Sequence, residues 1–241
     1  MSVRQINIVT QADMQASVLF SDMNAVSPQR LGKAIKAIEA VCVERREYEA
    51  KRERMVSGSL VVAQSPDIKY TDALINNEAF ARMVVALRID PRAYIHPDSQ
   101  EHGKQSDQTS NLKSYNKARQ VAETIWSGSS DLETVAKVFS VCAFAFASKG
   151  HALMTREHVE TFVSSRELAS VREGTADIWS AIDEVRAKYM SGGAETQSGQ
   201  MVRTLVALKS ATDERDGRNK NVRIDPDGLV MQALMTRFGQ V

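Results

Sequence analysis

Four potential metal ligands, His96, Asp98, Glu101 and His102, fall within seven residues of one polar stretch. Imidazole and carboxylate together suit zinc or another divalent transition metal. The spacing, however, matches no structural zinc pattern and no cysteine accompanies it. The cluster is therefore read as a solvated loop, and neither metal nor cofactor is expected. His151 and His158 flank a helix start at Thr155, where His158 reads as a cap or surface residue rather than a base.

Other chemistry-bearing patterns are weak. The chain holds no Gly-x-x-x-x-Gly-Lys-Ser/Thr, no Gly-x-Gly-x-x-Gly, no Gly-x-Ser-x-Gly and no His-Glu-x-x-His. The run Ser191 to Gln200 has three glycines before a helix, yet lacks the strand and lysine of a phosphate loop and reads as a flexible connection. Asp183 and Glu184 are adjacent on a helix and point to different sides. The expectation is a protein that is not an enzyme.

Local charge gives the stronger signal. Thirty-one Lys and Arg stand against thirty Asp and Glu, a formal net charge of +1, so any polyanion site must come from segregated charge. Lys104, Lys113, Lys117 and Arg119 cluster around Tyr115 with few acids nearby. Arg215, Arg218, Lys220 and Arg223 occur later, in a segment expected to be a loop turned by Asp216 and Gly217. Flexible cations beside an aromatic can neutralise phosphates and stack a base, as sequence-tolerant single-strand binding requires. A third charged run, Glu44 to Arg54, alternates in sign, with Glu47 and Lys51 in the favourable i,i+4 order, and reads as a solvated helix face.

The elements that must position these groups are helical. Ser130 with Glu133 forms a capping box before the apolar run Leu132 to Ser148, which is too short and too charged to span a bilayer and reads as a buried helix. Thr10 with Asp13 opens a helix whose Met14, Val18 and Leu19 share a face. Ser27 and Pro28 start a long helix with Leu31, Ile35, Ile38 and Cys42 at spacings of four, three and four. Thr71 precedes a helix with Leu74, Phe80, Met83, Val84 and Leu87 on its apolar side. Further patterns cover Ser114 to Trp126, Arg156 to about Val171, Ala176 to Met190, Gln200 to about Thr212, and Pro226 to Phe238. Val3 to Val9 and Ser59 to Gln64 are the only strand candidates, so the expected fold is all-α with little or no β structure.

Pro91, Pro97 and Gly103 prevent a continuous helix through the polar stretch, which suggests helical lobes at 1–95 and 113–241 joined by a linker or hinge at 96–112. "RIDP" occurs at both Arg88 to Pro91 and Arg223 to Pro226, where each Asp can cap the segment after its proline. The two cysteines lie in apolar segments and the N-terminus has no secretory pattern, so a reduced, cytoplasmic protein without membrane insertion is expected. Near the C-terminus, Leu229, Val230, Leu234, Met235 and Phe238 line a short helix that needs a groove, on its own lobe by default or on a second copy.

Together these features point to a non-enzymatic, self-associating helical protein that binds single-stranded RNA between two lobes. In plan it is similar to the nucleoproteins and helical coat proteins of RNA viruses, where it would also be found in the virion, although no family motif carries that likeness. The alternative is a helical scaffold or adaptor that binds only proteins.

Overall fold

The computed structural model describes residues 10–56, 71–92, 105–128, 153–155, 204–216, 219–225 and 227–237. The strand candidates Val3 to Val9 and Ser59 to Gln64, the apolar run Leu132 to Ser148 and the helical patterns between 156 and 190 lie outside these residues. The described chain is predominantly helical and its core is built by helices, as the periodicity predicts.

Thr10 does bond to Asp13, through both its N–H (3.1 Å) and its hydroxyl (2.6 Å), but this opens only a 3-10 turn, Asp13–Ala16. Ser17 then restarts the chain. Its hydroxyl accepts from the Phe20 N–H at 3.4 Å and caps α1, Val18–Asn24. The break changes the register, so Met14, Leu19, Phe20 and Met23 are buried while Val18 is 62% exposed rather than sharing their face. Ser27 caps α2, Pro28–Val56, by accepting from the Arg30 N–H at 3.4 Å. Ile38, Val41, Cys42 and Arg45, at i, i+3, i+4 and i+7, are its buried line, while Leu31 and Ile35 are half-buried.

Cys42 is a free thiol on that line. Burial pushes its pKa up to about 12, with Asp72 acting in the same direction against the nearby Arg46 guanidinium. Thiolate is the reactive form, so Cys42 is expected to resist a thiol reagent at about pH 8 and to label only when the chain opens. In a Cys142→Ser background, labelling in native buffer as fast as in denaturant would contradict this burial.

The helix expected after Thr71 is divided. A short turn at 71–74 ends where Asn76 adopts φ 61°. Asn77 then caps α3, Glu78–Leu87, through a 2.9 Å bond from the Phe80 N–H to its Oδ1. Arg46 holds the turn to α2, with its Nε on the Thr71 hydroxyl (2.8 Å) and its Nη2 on Asp72. The expected apolar side of this region is buried throughout: Leu74, Phe80, Met83, Val84 and Leu87. α3 ends at Arg88, φ 53°, with the Ile89 N–H reaching back to the Val84 carbonyl at 2.9 Å.

α4 runs Gln105–Ser127, starting nine residues before the expected Ser114. Residues 105–111 are polar but contain no proline or glycine, and Asp107 near the start suits the positive end of a helix. The last part of the 96–112 linker is thus helical, while 93–104 lies outside the described residues.

In the C-terminal region, the helix expected from Gln200 to Thr212 is confined to 204–207 among the described residues. Lys209, φ 55°, and a bond from the Ser210 N–H to the Leu205 carbonyl end it. The segment expected as a loop is instead an antiparallel hairpin of β2, Ala211–Asp216, and β3, Asn219–Ile224. β1, Leu153–Thr155, adds to β3 in the order β1-β3-β2. Of the turn expected at 216–217, Asp216 ends β2 and Gly217 lies outside the described residues. The two "RIDP" aspartates accept from the N–H two residues on, Asp90 Oδ1 from Arg92 at 2.9 Å and Asp225 Oδ1 from Asp227 at 3.1 Å; Asp225 thereby closes a turn four residues ahead of the helix at Leu229 rather than capping that helix as expected.

α5, Leu229–Arg237, packs against α1, α4 and the 3-10 turn. Val230, Met231, Ala233, Leu234 and Met235 are buried, and Arg237 donates from Nη2 to the Ile125 carbonyl. Burial pulls the pKa of Arg237 below the ordinary arginine value. α2, α1 and α4 each pack on α3, so segments on both sides of 96–112 share one core.

Candidate nucleic-acid interface

On α4, Ala118, Val121, Ala122 and Ile125 form the buried line. Lys113, Asn116, Lys117 and Gln120 repeat the same i, i+3, i+4, i+7 spacing on the other side of the helix. No acid occurs from Gln108 through Gln120, so this line is cationic and amide-rich. It is half-buried at Asn116, Lys117 and Gln120 and closes at Thr124, which is buried.

Arg119 does not join it. Its Nη1 is paired with Glu123 Oε1, and its Nε donates to Asn116 Oδ1 at 3.2 Å. Glu123 also accepts from Asn77 Nδ2 at 2.7 Å, tying Arg119 to the cap of α3. Arg119 is therefore a structural cation, a role signalled in the sequence by the Arg-to-Glu i,i+4 spacing. Tyr115 occupies a helix position three residues before Ala118, on the core-side line by spacing rather than on that of Lys113 and Lys117. Lys104 lies outside the described residues.

The second basic group lies on the hairpin. Arg215 and Lys220 are directly paired in register, whereas Arg223 pairs with Thr212 and falls on the opposite face by the two-residue period. β2 also carries Asp213, Glu214 and Asp216, so the hairpin is more nearly neutral than its second strand alone. The linear pattern conceals this because those acids sit where a helix is expected to end. Arg218 lies outside the described residues.

Of the candidate oligomerisation residues, Val230, Leu234 and Met235 are buried in the chain's own core. Covering them in cis removes their apolar area from water without a partner. Leu229 is 40% exposed, and Phe238 lies outside the described residues. His96, Asp98, Glu101 and His102 are also outside. Among the described residues no group of three His, Cys, Asp or Glu could hold a metal, and no helix is long and apolar enough to cross a membrane.

No family model, curated protein or solved structure matches this chain.

Proposed function

We propose that the protein is a non-enzymatic binder of single-stranded RNA, engaging the phosphate backbone without sequence preference. The observation that carries this reading is the acid-free line Lys113, Asn116, Lys117 and Gln120 on the side of α4 opposite its buried line. Lysines supply charge that releases counterions from phosphates, and the Asn116 amide, its oxygen held by Arg119, presents its N–H to the backbone. Lys113 and Lys117 lie in the middle of α4, a helix whose other side is packed in the shared core and so holds the line in place. The opposed Arg215 and Lys220 give the hairpin a second anion contact. Self-association in a nucleocapsid- or coat-like plan is part of the proposal and would use surfaces other than the buried residues of α5, with Leu229 the exposed apolar candidate.

Binding of nuclease-treated protein to fluorescent mixed-sequence RNA, followed by anisotropy across a salt series, tests it. Lys113→Ala and Lys117→Ala are expected to weaken binding equally for all sequences and to lower the salt slope by roughly 0.7 for each phosphate no longer neutralised. Parent protein that fails to bind at low salt would remove RNA from the reading and leave a helical scaffold for protein partners.

A further inference from the structure

The opening turns of α2 break three local helix rules on one exposed side. The first turn carries no acid, although acids are favoured there by the helix dipole. Arg30, Lys33 and Lys36 place three cations in the first nine residues instead, all exposed, with no acid before Glu39. Among the described residues none of the three is in an ion pair. Gly32 sits beside them, one turn before Lys36. A Cβ added at Gly32 would meet no described atom within 4 Å, so no close approach within the described chain requires glycine there.

Each choice weakens the isolated helix. Arg30, in the first turn, opposes the dipole, the cations three residues apart repel one another, and glycine inside a helix is less favourable than alanine. No described intramolecular contact offsets them. Rules broken together without internal compensation mark a functional surface, and one external partner would reverse all three penalties. A polyanion along this side would pair with the cations, relieve their mutual repulsion and use the missing side chain to approach the backbone closely.

We propose that Gly32, Lys33 and Lys36, with Arg30 beside them, form a second contact surface for the RNA phosphate backbone, separate from the α4 line. The side is suited in shape as well as charge. Gln29, Lys33, Lys36, Ala40 and Val43 form one exposed line along the helix, with short side chains beyond the lysines. Lys33 and Lys36 are about 4.5 Å apart along the axis at ~1.5 Å per residue, close enough for flexible ammonium groups to serve neighbouring phosphates of one strand.

This inference rests on the RNA reading, and the same anisotropy assay with full-length protein separates the two. Replacing both lysines, Lys33→Ala with Lys36→Ala, is expected to lower the salt slope by about 1.4 and the affinity at about 0.1 M salt by about 25-fold, the effect of freeing two single-strand phosphates. Gly32→Ala is expected to weaken binding several-fold while raising the melting temperature by about 2 °C, because alanine favours the free helix but blocks close approach. That combination cannot arise from misfolding. If the parent binds RNA and both α2 variants match it in affinity and slope, the second surface is overturned and the α4 reading stands. A parent that does not bind overturns both.

Discussion

Leu234→Ala is expected to destabilise the protein by about 2–5 kcal/mol and to lower its melting temperature by roughly 5–15 °C, equally at every protein concentration. Leu234 is fully buried, and the core around it draws on Met14, Phe20 and Ile125 from distant parts of the chain. Truncation leaves a cavity whose lining is held by α1, α4 and the 3-10 turn, the elements packed on α5. Independence from concentration is the decisive part. Were α5 seated on a second copy, its loss would instead break an oligomer, and the midpoint of the parent would rise with concentration. Thermal melts at two widely separated concentrations, with sedimentation of both proteins, distinguish the cases. A parent midpoint that rises with concentration, together with dissociation of the Leu234→Ala variant, would place α5 in trans.

Arg82→Ala should cost about 2–4 kcal/mol, well above the usual effect of trimming a side chain that reaches solvent. The guanidinium lies 4.6 Å from the centroid of Trp126, donates from Nη1 to the Met23 carbonyl at 3.0 Å and the Val26 carbonyl at 3.5 Å, and pairs through Nε with Glu78 at 2.8 Å. It thus satisfies carbonyls at the end of α1 while clamping α3 to α4. Trp126 is in turn tilted against Phe20, with ring centroids 5.4 Å apart, so the clamp reaches the core. Glu78→Ala, losing the exposed i,i+4 partner and the acid in the first turn of α3, should cost about 0.5–1 kcal/mol. Arg82→Lys should fall between, keeping the charge but not the planar fork. Urea denaturation of the three variants measures the order, and a Glu78→Ala loss equal to that of Arg82→Ala would reduce the clamp to an ordinary surface pair.

Helix existence and apolar faces are legible in the sequence because they depend on local spacing: Leu74, Phe80, Met83, Val84 and Leu87 recur at helical intervals and all are buried. Boundaries are lost where two local signals compete. Thr10 and Ser17 both resemble helix caps, and only the second begins a full helix. Asn77, hidden in an Asn-Asn pair, divides a pattern that reads as continuous. The hairpin escapes a linear reading for a different reason. Ala211–Asp216 has three acids and little β propensity, so its strand depends on pairing with Asn219–Ile224 rather than on its own residues. At the candidate site, Lys113 and Lys117 are visible as an acid-poor cluster. The removal of Arg119 by Glu123 and Asn77 depends on a bond between helices that linear charge cannot reveal.

The packing of α5 on the 3-10 turn also governs when the protein can mature during synthesis. Met14 and Leu234 belong to one core although 220 positions separate them. At about 5–20 residues per second, a ribosome needs roughly 10–40 s to make that interval. Throughout it Met14, Leu19 and Phe20 wait for a covering helix that has not yet been translated. A chain that ends before α5 therefore leaves the side of Met14 and α1 that α5 covers open to water, and the core closes only when the last helix arrives.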